Sequence, residues 1–210
     1  DLPLAMPITF GVQCSDHETK DWANSRFLLL VGANPLETRI PDAHFLTDAA
    51  DDGGRIVVVD PKYSATAAMA DDWLPIEPGT DAALGLALVN VILREGLGDL
   101  EYMAKYSDAP LLVREDTGKR LREVDIQAPA GGGSAPGGGD SDARFVVWDL
   151  ETDGPVVIGA DKLGLPDGVR PALTGSYEVR LADGATIKAR PGFDYVQQAV
   201  TEYTPEAVEK

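Results

Sequence analysis

Three short apolar runs punctuate the first part of the chain: Phe27 to Gly32 and Arg55 to Asp60, each ending on a small or polar residue, and Trp73 to Ile76. The first two are rich in Leu or Val and do not alternate with polar residues, the pattern of strands buried in a parallel sheet. Pro75 places the third at a sheet edge or strand end. Helical spacing fills the gaps. Pro41 starts a helix with Ala43, Phe45, Leu46 and Ala49 on one face and Gly53-Gly54 as its stop, and Ser64 to Met69 supports a shorter one. A short helix is expected around Glu18 to Ser25. Ala82 to Gly96 is the longest helix, capped by Thr80 or Asp81, with apolar residues around most of its circumference, which predicts burial. A further helix, Asp99 to Tyr106, and a strand, Pro110 to Val113, follow. The β-α-β order of residues 26 to 113 predicts an α/β fold: a doubly wound, mostly parallel sheet with right-handed crossovers and flanking helices.

Residues 128 to 142, containing Gly-Gly-Gly-Ser-Ala-Pro-Gly-Gly-Gly, carry too little apolar surface for a core and read as linker. Beyond them, Arg144 to Trp148, Pro155 to Ile158, Tyr177 to Leu181 and Thr186 to Ala189 are short strands, with Asp183-Gly184 as a hairpin turn. The expected organisation is an α/β domain over 1–126, a linker over 127–142, a small β-rich insertion over 143–190, and a helical return to the α/β domain over 191–210. The chain starts on Asp1, and Thr204-Pro205 near its other end look like a cap and first helical turn, so an excised piece of a larger protein is expected.

The 210 residues suffice for a sizeable core, and 44% hydrophobic with 25% charged residues is ordinary globular composition. Charge is not ordinary. A net charge of −17 with no basic patch argues against nucleic-acid binding. Asp outnumbers Glu 23 to 12 and Arg outnumbers Lys 11 to 7, a bias associated with proteins that stay soluble in concentrated salt, where the Debye length falls to about 3 Å at 1 M. Cys14 alone permits neither an intrachain disulfide nor an all-cysteine metal cluster and is expected as a buried small hydrophobe. No stretch approaches the roughly 20 apolar residues that span a bilayer. His44, in the first turn of a helix, is expected to cap that helix or face solvent rather than bind metal, His17 to be similarly exposed, and Trp22, Trp73 and Trp148 to be core or domain-contact residues.

The candidate chemistry lies where the first three strands end. Gly-Ala-Asn-Pro after the first, Asp60-Pro-Lys-Tyr63 after the second and Pro78-Gly-Thr-Asp81 after the third would meet at the carboxyl edge of one sheet, where open α/β sheets bind ligands. Glycines admit a phosphate close to the backbone, helix N-termini offer N–H groups, and Asp60 or Asp81 can accept from a purine or ribose.

Asp1-Leu-Pro, Ile8-Thr-Phe-Gly11, Asp21-Trp22, Gly-Ala-Asn-Pro, Thr38-Arg-Ile-Pro-Asp-Ala-His-Phe45, Asp60-Pro-Lys-Tyr63, Ala70-Asp-Asp-Trp-Leu-Pro75 and Pro-Gly-Thr-Asp, in this order and spacing, resemble the catalytic subunits of the dimethyl-sulfoxide-reductase family of molybdopterin oxidoreductases. The run from Thr38 to Phe45 is most similar to the branch of respiratory nitrate, selenate and chlorate reductases and dimethyl sulfide dehydrogenase. The likeness covers residues 1 to 125, and Tyr203-Thr-Pro-Glu206 resembles a further family segment. Ala33-Asn34-Pro35 and Asp60-Pro61 depart from the nitrate-reductase loops.

The resemblance implies a molybdenum bis(molybdopterin guanine dinucleotide) cofactor. Gly32, Ala33, Asn34, Pro35 and Thr38 would line its first loop, Asp60, Pro61 and Tyr63 its guanine-ribose end, and Gly79, Thr80 and Asp81 its third loop. Asp1 stands where this branch supplies an aspartate to molybdenum, and a hard carboxylate oxygen suits such a metal. A 4Fe-4S cluster would lie outside these residues. The full-length enzyme would move an oxygen atom to or from a small oxo-substrate, nitrate or dimethyl sulfoxide, within a membrane-associated complex on the extracytoplasmic face. Its partners would be electron-transfer iron-sulfur subunits and membrane-anchor or haem subunits, while this piece alone would be apo and inactive. The competing reading is an α/β nucleotide-binding or scaffold module without redox chemistry.

Overall fold

The structure is a computed structural model that describes residues 6–9, 11, 18–127, 144–159 and 165–209. Asp1, Cys14, His17 and nearly all of the expected linker lie outside the described residues. The chain divides into two compact units, residues 1–81 and 82–210.

The first unit is built on β1 (Phe27–Val31), β2 (Arg55–Val59) and β3 (Asp72–Leu74), parallel and in the order β1-β2-β3. Val31 is level with Val59, and Val59 with Leu74, so all three strands end on one rung. The first crossover carries α1 (Pro35–Thr38) and α2 (Ala43–Asp51), and the second carries α3 (Ala65–Met69). Leu46 of α2 and Ala67 of α3 pack with Ile56, Val58, Leu28, Leu30 and Trp73, which alternation puts on one face of the sheet. Both crossovers therefore lie on that face, as right-handed connections to successive neighbouring strands require. The opposite face carries Phe27, Leu29, Val31 and Leu74, which are 56%, 41%, 46% and 45% exposed. The expected helix at Glu18 to Ser25 is a 3-10 segment, Thr19–Asn24, and Trp22 joins the α2 and α3 packing. The α/β class, parallel sheet and flanking helices are those expected from the sequence.

The second unit contains α4, a helix over Asp81–Arg94 whose first residue is the last of the first unit, followed by α5 (Leu100–Tyr106), β4 (Leu112–Arg114) and α6 (Glu123–Ile126). Then come β5 (Phe145–Asp149), β6 (Gly154–Ile158), β7 (Tyr177–Arg180), β8 (Thr186–Pro191), α7 (Gly192–Val200) and α8 (Pro205–Val208). β4 corrects the sequence reading. The Pro110–Val113 run was expected in the parallel sheet, but β4 pairs antiparallel with β8 in a β4-β8-β7 sheet. An isolated apolar run fixes burial but not its partner, and here Leu112 packs with Val179 and Ala189. β5 and β6 form a hairpin whose Val146 and Trp148 join that core, and Trp148 stacks on Tyr177 at 4.6 Å between ring centroids. Asp183-Gly184 turns between β7 and β8 as expected, with Gly184 at φ +90°. Thr204 caps α8, its hydroxyl oxygen accepting from the Ala207 N–H at 3.3 Å.

α4 supplies the second correction. The expectation of burial all round fails, because only Ala87 and Asn90 are buried and Leu88 and Ile92 are 45% and 42% exposed. An apolar helix buries only the stripe its neighbours reach, and Asn90 Nδ2 marks that stripe by donating to the Val200 carbonyl of α7 at 2.8 Å.

Candidate functional site

The level ends of β1, β2 and β3 send three loops off the same carboxyl edge of the parallel sheet. The first is Gly32 to Asn34. Gly32 extends the ladder by donating its N–H to the Val59 carbonyl at 2.9 Å, then turns at φ +58°, and a Cβ there would meet nothing within 4 Å. Its requirement is thus one of backbone conformation, in a region that disfavours side chains. Ala33 and Asn34 are half-buried, and Pro35 is buried at the first position of α1. The Asn34 carboxamide is turned into the protein: Oδ1 accepts from Thr66 Oγ1 at 2.7 Å, and Nδ2 donates to Glu37 at 2.7 Å. Thr38 is exposed, and its hydroxyl donates to the Asn34 carbonyl at 2.9 Å.

The second loop, Asp60 to Tyr63, is held from within. Asp60 Oδ1 accepts from the Lys62 N–H at 2.8 Å, closing a short Asx-type turn. Its N–H donates to Leu74 and its carbonyl accepts from the Trp73 indole at 2.8 Å, which ties the loop to β3. The second carboxylate oxygen of Asp60 has no hydrogen-bond partner among the described residues. Pro61 and Tyr63 are exposed, and Tyr63, at 59%, sets its ring edge-to-face against Trp73 at 5.0 Å. Ser64 follows as the N-cap of α3, accepting from Ala67 N–H at 3.2 Å.

The third loop runs through exposed Gly79, Thr80 and Asp81 into α4. Gly79 sits at φ +90° with open space around its Cβ position. Thr80 was one expected cap of this helix, but its hydroxyl donates back to the Glu77 carbonyl at 2.7 Å. Asp81 occupies the first helical turn, and its carboxylate makes no hydrogen bond among the described residues. It acts on α4 through charge at the positive end of the helix dipole.

The three loops thus present positive-φ glycines with open surroundings, two carboxylates with free oxygens and an exposed phenol ring. These features suit an elongated ligand carrying phosphates and hydrogen-bonding ring groups. No group of three or more His, Cys, Asp or Glu residues able to hold a metal occurs among the described residues, and Asp1 lies outside them. His44 is exposed, with Nδ1 3.0 Å from the Pro41 carbonyl. Thr66 is the residue that sequence reasoning passed over: it is fully buried and joins the first loop to α3. Its only signal in the sequence was a threonine inside an Ala-rich helical turn.

Known proteins resemble this chain over its full length. The sequence profile described as Molybdopterin oxidoreductase matches residues 3–169. The perchlorate reductase subunit alpha of Dechloromonas aromatica (strain RCB) is 36% identical, aligned over 100% of this chain and 24% of its own. The dimethylsulfide dehydrogenase subunit alpha of Rhodovulum sulfidophilum is 34% identical over 98% of this chain and 22% of its own. The respiratory nitrate reductase subunit alpha of Haloferax mediterranei is 32% identical over 99% and 21%. The chain spans between about a fifth and a quarter of the length of these relatives.

Proposed function

This chain belongs to the molybdopterin oxidoreductase family, and on that premise we propose that its three-loop sheet edge is part of the cofactor site in the catalytic subunit of a molybdenum-dependent respiratory oxidoreductase. The family implies a molybdenum-pterin cofactor. In our reading it is the guanine dinucleotide form, in a bis arrangement. The observation that carries the reading is the common rung on which β1, β2 and β3 end, which brings loops 32–38, 60–63 and 79–81 to one edge.

Gly32, Ala33, Pro35 and Thr38 would lie along the pterin dinucleotide, and Asn34 shapes that loop. Asp60 offers its free oxygen to guanine N–H donors or sugar hydroxyls, Pro61 and Tyr63 flank it, and Gly79, Thr80 and Asp81 close the third side. When bound, the cofactor supplies two-electron oxygen-atom chemistry, with the redox change at the metal. The residues of this chain bind and orient it. Asp1 remains our candidate molybdenum ligand. Nitrate and dimethyl sulfoxide are the proposed small oxo-substrates. The relatives are named as alpha subunits, and from this we infer multi-subunit partners: an iron-sulfur electron-transfer subunit and a membrane-anchor or haem subunit. A 4Fe-4S cluster elsewhere in the catalytic subunit and an extracytoplasmic, membrane-associated location complete the proposal. No described helix is long and apolar enough to cross a membrane.

The test is Asp60→Ala and Asp81→Ala in the full-length subunit, read by molybdenum and guanine content per polypeptide. Loss of a hydrogen bond to a charged group costs about 1.5–3 kcal/mol, so cofactor content should fall at least several-fold while the sheet still folds. If Asp81→Ala melts earlier but keeps its full cofactor, Asp81 serves only the α4 dipole and leaves the site.

A further inference from the structure

Against the first loop lies a buried hydroxyl carried by α3, the helix that follows the second loop. We propose that Thr66 and Asn34 form a positioning pair that fixes the first cofactor loop against the second, an inference that rests on the reading of this edge as a cofactor site. Thr66 is fully buried in the first turn of α3, two residues beyond the Ser64 cap that ends the Asp60 to Tyr63 loop. Its hydroxyl donates to Asn34 Oδ1 at 2.7 Å and accepts from the Leu36 N–H at 3.2 Å, while its own N–H reaches Asn34 Oδ1 at 3.4 Å.

Asn34 distributes that hold along its own loop. Its Nδ2 donates to Glu37, its carbonyl accepts from Glu37 N–H at 3.1 Å and Thr38 N–H at 2.9 Å, and the Thr38 hydroxyl shares the same carbonyl. The Asn34 side chain is therefore spent on protein partners. It acts on a bound dinucleotide through the backbone it arranges. Removing the Thr66 hydroxyl leaves the Leu36 N–H without its partner in a partly buried place and Asn34 Oδ1 with only the longer bond from the Thr66 N–H, so the hold of α3 on the first loop weakens. Loops 32–38 and 60–63 lose their common anchor, and a rigid ligand spanning both must order them on binding.

The experiment uses the full-length loaded subunit with Thr66→Val, Thr66→Ser, Asn34→Ala and, as a reference, Asp60→Ala. It reads the first-order loss of molybdenum and guanine on dilution into cofactor-free buffer, at a temperature well below melting. Thr66→Val should release cofactor about fivefold faster, the equivalent of one neutral hydrogen bond, and Thr66→Ser should return to near the original rate. The Asn34→Ala Thr66→Val double variant should release cofactor more slowly than the two single effects multiplied together, because both remove the same Thr66–Asn34 bond. If Thr66→Val does not fold, Asn34→Ala breaks the same bond from the loop side. Wild-type release from Thr66→Val or Asn34→Ala, alongside faster release from Asp60→Ala, overturns the positioning pair and leaves a contribution to folding alone. Wild-type release from Asp60→Ala as well overturns the cofactor-edge reading itself.

Discussion

The indole N–H of Trp73 donates to the main-chain carbonyl of Asp60 at 2.8 Å, so a β3 side chain holds the loop that leaves β2. The same ring meets Tyr63 edge-on. Trp73→Phe keeps an aromatic ring but removes the donor, and should cost about 1 kcal/mol plus the loss of indole packing. Urea unfolding reads the stability change. Hydrogen exchange at Lys62 reads the loop, because its N–H bonds Asp60 Oδ1 within the tethered turn. Unchanged protection of Lys62 would show that the Asx turn holds without Trp73.

Gly53 and Gly54 end α2 for different reasons. Gly53 sits at φ +83° with nothing near its Cβ position, whereas a Cβ on Gly54 would lie 2.7 Å from the carbonyl oxygens of both Ala49 and Ser25. Gly53→Ala should cost about 1–2 kcal/mol from backbone strain. Gly54→Ala should cost more, since two rigid main-chain atoms must move. Equal unfolding midpoints for the two variants would refute this ordering.

Asp149 is buried at the end of β5 and accepts from Thr152 Oγ1 at 2.7 Å and from the N–H groups of Arg170, Glu151 and Thr152. The Thr152 hydroxyl first, then the Arg170 N–H, holds its carboxyl below the usual carboxylate range despite burial. A carboxyl whose folded value lies below its unfolded value stabilises the fold above the unfolded value, near 3.9, and loses that contribution as pH falls through the folded one. Asp149→Asn should therefore be clearly less stable at pH 7, with its deficit shrinking from pH 4 downward. Urea midpoints measured across that range give the curve, and a pH-independent deficit would count against the charge as the cause.

The 35 carboxylate side chains against 18 cationic ones predict a thermal midpoint that rises from low to multimolar potassium chloride, as screening relieves repulsion. A flat response would mark an ordinary acidic surface.

Apolar runs followed by Gly, Asp or Pro made the parallel sheet legible, because a strand buried on one or both faces needs little beyond its own sequence to be recognised. β2 is the plain case, with Ile56, Val57, Val58 and Val59 all buried. Pairing partners were not legible for β4, whose neighbour β8 lies more than 70 residues further on. Nor was the inward turn of Asn34, which depends on Thr66 arriving from another element. Nor was the direction of the Thr80 hydroxyl ahead of α4, which donates back to the Glu77 carbonyl.

The apolar edges of the parallel sheet's second face give the salt response a second side. Phe27, Leu29, Val31 and Leu74 leave apolar area partly exposed on a molecule whose copies are kept apart by a charge of −17. Ions that quiet repulsion within one molecule quiet it between two, so conditions that favour folding also lower the colloidal barrier to clumping. The salt window for handling the isolated chain is consequently bounded above by turbidity as well as below by unfolding.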